Sequence, residues 1–112
     1  MTDRRRDILI GLGLLLLPFG VFYAQALGQA VFYHHDLQYY FHAYHKAVVD
    51  LARQPGLPLW NPYAFSGIPL LGDGQTAMFY PPNWLFWVLP AAHALTLSIL
   101  AHFSIAGLGM YL

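Results

Sequence analysis

Asp36 is the residue whose type and position could best do chemistry in this chain. It stands in His34-His35-Asp36-Leu37-Gln38-Tyr39-Tyr40, just after a long uncharged run and at the head of a helical pattern. Partial desolvation beside imidazoles can tune such a carboxylate as a general base. The same placement suits a helix cap, since a carboxylate can accept from the open N–H groups of a first turn. Spacing alone favours the cap, and the two roles are compatible. Asp73, within Gly72-Asp73-Gly74-Gln75, is the second acidic candidate. Flanking glycines allow positive φ and close approach of a ligand to the backbone. Asp-Gly is also a common turn dipeptide, and the turn is the preferred reading. Asn61 and Gln75 could hydrogen-bond a sugar or satisfy loop backbone groups, and the sequence leaves both open.

The histidines raise the question of a metal. His42 and His45 are three positions apart and could share a helix face with a third ligand. No HExxH or comparable zinc spacing accompanies them, so no metal site is assigned; a divalent cofactor is conceivable but unsupported by the spacing. His93 and His102 fall in a hydrophobic stretch, where a polar side chain must face protein or water. Lys46 and Arg53 could pair with a lipid phosphate, although a solvated helix face is slightly preferred.

What positions these residues follows from hydropathy. Of 112 residues, 58% are hydrophobic and 9% charged, against about 25% charged in soluble domains. The membrane class is therefore expected. Five basic residues balance five acidic ones, Glu is absent, and Arg4-Arg5-Arg6 is the one basic cluster, which argues against a nucleic-acid partner. The lack of cysteine excludes disulfide and thiol chemistry but says nothing of the compartment.

Four segments are expected: a cytoplasmic N-terminus (1–7), a first transmembrane helix (8–33), an extracytoplasmic loop (34–83), and an interfacial aromatic segment leading into a second transmembrane helix (84–112). About 20 apolar residues at 1.5 Å each match a hydrocarbon core of about 30 Å. The arginines at 4–6 hold the N-terminus inside and direct the loop outside. Pro18 should kink the first helix. Within the loop, Leu37, Tyr40, Phe41, Tyr44, Val48 and Leu51 recur at helical spacing and predict an amphipathic helix over about 37–54 at the membrane surface, stopped by Gln54-Pro55-Gly56. Residues 57–82 are too rich in Pro and Gly for a long helix or long strands, yet their aromatics argue for order. Trp84, Phe86 and Trp87 would form an outer aromatic belt. The uncharged end at Leu112 reads as that of a cut chain. A cleaved leader ending near Ala24-Gln25-Ala26 competes with the first membrane helix, but hydrophobicity continues past the usual leader core and the retained helix is preferred. The fold class is thus an all-α membrane protein: two transmembrane helices joined by an extracytoplasmic loop holding an amphipathic helix and an irregular Pro/Gly-rich segment.

Taken in order, Asp36-Leu37-Gln38-Tyr39, Pro58-Leu59-Trp60-Asn61-Pro62-Tyr63, Phe65-Ser66-Gly67-Ile68-Pro69 and Asp73-Gly74-Gln75 leading to Tyr80-Pro81-Pro82-Asn83 resemble the first outer loop of the YfhO-like bacterial membrane proteins, of the GT-C glycosyltransferase type. The resemblance implies an N-terminal fragment of a multi-pass enzyme of the bacterial cytoplasmic membrane, which moves a sugar from a polyprenyl-phosphate carrier to an extracytoplasmic acceptor. It implies Asp36 as catalytic base, with Gln38, Asn61, Asp73 and Gln75 on the substrate. The lipid bilayer and the remaining transmembrane helices would be partners, and the fragment alone would be inactive. The competing expectation is a non-enzymatic membrane protein whose outer loop mediates binding or assembly.

Overall fold

The computed structural model describes residues 3–32 and 34–112, with the side chain of Asp3 outside that description. The expected end of the first membrane segment, at position 33, lies outside the described residues. Helix α1 (Asp3–Val21) is followed after one irregular residue by the single turn α2 (Tyr23–Ala26). A π-helical run, Leu37–His42, leads into α3 (Ala43–Ala52). Two-residue strands β1 (Trp60–Asn61) and β2 (Ile68–Pro69) pair antiparallel, Trp60 opposite Pro69 and Asn61 opposite Ile68. Two 3₁₀ segments follow, Gly74–Thr76 and Pro81–Trp87, and then α4 (Ala91–Tyr111).

The protein is mostly helical, and among the described residues α4 alone is long and apolar enough to cross a membrane. Its 21 residues span about 31 Å at 1.5 Å each. The expectation of two such helices narrows here to one. Charged residues occupy the first turns of α1, so its apolar part starts at Ile8 and ends at Val21, about 21 Å. The helix runs through Pro18 and loses regular angles at Phe22 (φ −107°, ψ 44°).

α1, α2 and α4 nevertheless lie antiparallel along their whole length. Tyr111 donates to Asp7 (2.9 Å) at one end, Ser104 Oγ donates to the Leu15 carbonyl (2.7 Å) in the middle, and His93 Nε2–H donates to the Ala26 carbonyl (3.2 Å) at the other. Phe22 stacks with Phe103 between them.

Residues 34–90 form a cap around the first half of α4. Two faces of α3 organise it. Tyr44, Val48 and Leu51 pack with Leu70, flanked by Ile68 and Met78; Val49 packs with Phe86 and Ala94. The apolar side of α3 is therefore buried in protein, whereas the sequence suggested a membrane surface for it. Spacing of i, i+4, i+7 marks an apolar face but not what covers it. Phe86 likewise leaves the expected aromatic belt: it is buried, with its ring stacked on His45 (4.3 Å between centroids), while Trp84 and Trp87 face outward. The 3₁₀ segment Pro81–Trp87 runs alongside α4, because the Tyr80 hydroxyl reaches His102 Nε2 (2.7 Å). His102 lies eleven positions into α4, about 17 Å along its axis.

Candidate functional site

Asp36 is already helical (φ −68°, ψ −35°), and its carboxylate makes no capping bond. The expected cap is thereby overturned: the helix begins two residues earlier than expected, at His35, so Asp36 no longer stands where first-turn N–H groups converge on a side chain. Asp36 is exposed, and no hydrogen bond or ion pair to it is found among the described residues. Its carboxylate faces solvent directly before Leu37 and Gln38, which line a cavity of about 190 Å³. Val31, Phe32 and His42 close one side of this cavity; Ala92, Leu95, Thr96 and Ile99 of α4 close the other. The lining is mostly apolar, and Gln38, His42 and Thr96 supply its polar groups.

The residues from Leu37 to His42 are π-helical, a rare form seen mostly as short bulges at functional sites. Aromatic crowding accompanies it: Tyr40 meets Phe41 edge-on (5.2 Å) and stacks on Tyr44 (5.5 Å, 8° between planes).

Asp73 belongs to a different cluster. Its Oδ1 accepts from the Gln75 N–H (2.9 Å), its carbonyl accepts from Thr76 Oγ1 (2.8 Å), and its Oδ2 accepts from the Tyr44 hydroxyl. The turn reading of Gly72-Asp73-Gly74 thus has a definite form, an aspartate capping a 3₁₀ turn. Neither Gly72 nor Gly74 uses positive φ; Phe65, Ser66, Gly67 and Ala77 do. Burial, and then the bond to Asp73, push the Tyr44 phenol well above the ordinary tyrosine range. That same bond, followed by the Gln75 N–H, holds the Asp73 carboxyl below its usual value. Asp73 is therefore a poor proton acceptor and a good latch. Tyr44 is eight positions after Asp36, and neither it nor Asp73 bonds the Asp36 carboxylate. The two carboxylates do not form an acid–base pair.

Asn61 is 1% exposed, and its Oδ1 accepts from the Tyr63 N–H (2.9 Å), turning the chain out of β1. Gln75 is exposed and contributes its backbone to Asp73. The five candidates thus separate into Asp36 and Gln38 beside the cavity, and Asn61, Asp73 and Gln75 in the framework of the cap. Tyr44 and Thr76 complete the Asp73 cluster; Tyr44 was missed because nothing in its local sequence marks a partner 29 positions distant, whereas Thr76, three positions after Asp73, carried a local turn signal that went unused.

The histidines divide in the same way. His42 lines the cavity, while His45 is buried and stacked on Phe86, and desolvation lowers its pKa. Among the described residues no group of three or more His, Cys, Asp or Glu could hold a metal ion. His102 Nδ1–H donates to the Ser98 carbonyl (2.6 Å), so a neutral ring presents Nε2 as acceptor to the Tyr80 hydroxyl. His93 and His102 thus both meet protein groups. Comparison with protein-family models, with curated proteins and with solved structures finds no match to this chain.

Proposed function

We propose that this chain is the N-terminal part of a polytopic, YfhO-like glycosyltransferase of the GT-C type, crossing the bacterial cytoplasmic membrane with α1–α2 and α4 and holding residues 34–83 outside. The observation that carries the proposal is the state of Asp36: a helical carboxylate with no bonded partner among the described residues, directly preceding Leu37 and Gln38, which line a mostly apolar cavity. In this reading Asp36 takes the proton of an acceptor hydroxyl as its oxygen displaces the carrier phosphate from the anomeric carbon, inverting configuration. Gln38 orients the sugar, whereas Asn61, Asp73 and Gln75 act through the shape of the cap. The antiparallel pairing of α1–α2 with α4 from Asp7–Tyr111 to Ala26–His93 supports two crossings. The exposed apolar side chains of α1, including Leu12, Leu16 and Leu17, suit lipid or further helices.

The test is Asp36→Asn in the full-length membrane protein. General-base loss should lower transfer from a polyprenyl-phosphate sugar by about 10² to 10⁴, with membrane insertion unchanged. Undiminished transfer rejects the assignment. A second reading, a non-enzymatic membrane protein whose outer loop binds a partner, is favoured by the aromatics displayed by the cap: Phe65 is 86% exposed and Phe79 79%. Partner capture that survives Asp36→Asn but is lost in Phe65→Ser would select it.

A further inference from the structure

One face of the helix through α3 carries His42, Lys46, Asp50 and Arg53, at steps of four, four and three residues, which align on one side of a helix. With Val49, Phe86, Val88, Leu89, Pro90 and Ala91 they line an open groove of about 530 Å³. His42 also lines the apolar cavity, so groove and cavity adjoin at this residue. From this geometry we infer a binding site for one anionic glycerophospholipid: its phosphate sits between Lys46 and Arg53, and one acyl chain passes His42 into the cavity against Leu95 and Ile99.

Charge and depth argue for this occupant together. Lys46 and Arg53 outnumber Asp50, the one carboxylate in the groove. The Lys46–Asp50 ion pair (2.6 Å) is exposed on both sides, and exposed pairs are worth little, so an arriving phosphate can share the ammonium. Arg53 gives one long bond to the Trp87 carbonyl (3.4 Å), and a guanidinium has further donors in a fork that fits phosphate oxygens. Pro90 and Ala91 of the lining stand at the start of α4, which among the described residues is the one helix long and apolar enough to cross a membrane. Val88 of the lining is exposed and Trp87 stands next to it in the chain; Trp is enriched where headgroups meet hydrocarbon. A soluble phosphate would use the cations but not the apolar wall of the groove or the adjoining cavity.

The inference rests on α4 lying in the bilayer; it places an acyl chain in the cavity that Gln38 also lines and so competes with the transferase reading for that space, and its test reads lipid retention rather than sugar transfer. The test is native mass spectrometry of the purified chain in detergent, titrated with phosphatidylglycerol, phosphatidylcholine or inorganic phosphate. Phosphatidylglycerol should be retained in preference to phosphatidylcholine, and inorganic phosphate should not displace it. Lys46→Gln with Arg53→Gln should weaken phosphatidylglycerol at least about tenfold, equivalent to about 1.4 kcal/mol, while Lys46→Arg with Arg53→Lys retains it. Ile99→Trp, which fills the cavity, should weaken it with the cations intact. Asp36→Asn should leave lipid binding unaltered, which keeps this result separate from the transferase assay. The inference is overturned if wild-type protein binds both lipids equally, if inorganic phosphate displaces the lipid, or if the glutamine variant folds and binds as wild type.

Discussion

The α1–α4 pair and the cap over 34–90 are held by different physics. Along the helix pair, backbone groups bond within each helix and the side chains are overwhelmingly apolar, so the pair tolerates any close packing that satisfies a few hydroxyls and imidazoles. The cap has short helices, two-residue strands and many residues outside both. Its conformation depends on single polar side chains and on a few backbone positions with no substitute. One region is fixed by composition and the other by particular atoms, so substitutions of similar chemistry should have unequal effects in the two.

The largest expected effect is at the β1–β2 turn. Phe65, Ser66 and Gly67 have φ of 50°, 64° and 111° in succession, and a Cβ on Gly67 would lie 2.5 Å from the Trp60 ring. Gly67→Ala combines backbone strain with that clash and should destabilise the cap by roughly 2–3 kcal/mol. Near-UV circular dichroism of the protein in nanodiscs during thermal unfolding would read the loss. Gly13→Ala in α1, where nothing lies within 4 Å, should be neutral or slightly stabilising. Equal losses at both positions would erase the distinction between the regions.

Next is Asn61→Ala. The side chain is buried and its Oδ1 takes the Tyr63 N–H, so truncation leaves that donor without its acceptor, at about 1–3 kcal/mol. Faster amide exchange at Tyr63 and across β1–β2, with α4 unchanged, is the expected signature.

A smaller effect comes from acid. His45 is buried neutral with a lowered pKa, so the stability it allows is present above the ordinary histidine pKa of about 6.5 and is lost as pH falls through its lower folded value. Asp73 is held below the usual carboxylate value by Tyr44; its contribution is present above about 3.8–3.9 and is lost at lower pH still. Acid titration of the cap should therefore show an early phase, removed by His45→Phe, and a late phase, removed by Tyr44→Phe, which should also cost about 1 kcal/mol at neutral pH. A single phase insensitive to His45→Phe would show that the stacked imidazole does not bind α3 to the Pro81–Trp87 segment.

The same division explains what could be read in the sequence. The apolar run from Ala91 onward announces α4, and the spacing of Tyr44, Val48 and Leu51 announces α3, because periodic burial is a property of composition along the chain. The broken first helix was harder to see: hydropathy ran on past Val21, while the regular geometry ended at Phe22. The π-helical run was also hidden, since apolar residues at three- and four-residue steps look alike whether the backbone is α or π. Asp36 was misread as a cap, because the helix start at His35 has no sequence mark. Asp73 was legible as a turn, but its partner Tyr44 was not, since that bond spans 29 positions.

The smallest expected effect is Ser104→Ala, and it bears most directly on the contrast. Ser104 Oγ donates to the Leu15 carbonyl (2.7 Å) and also approaches the Leu100 carbonyl (3.2 Å). Both carbonyls lie within helices and keep their backbone partners when the hydroxyl is removed. Truncation therefore leaves no orphaned group, unlike Asn61→Ala. Polar contacts between membrane helices average about 0.6 kcal/mol, and alanine's better helix propensity offsets part of that. The measurement is energy transfer between probes on exposed positions of α1 and α4, followed through denaturation in nanodiscs. A shift within about 0.6 kcal/mol fits a helix pair held by packing. A loss as large as that of Asn61→Ala would mean that the pair, like the cap, hangs on individual polar atoms, and composition alone would no longer account for it.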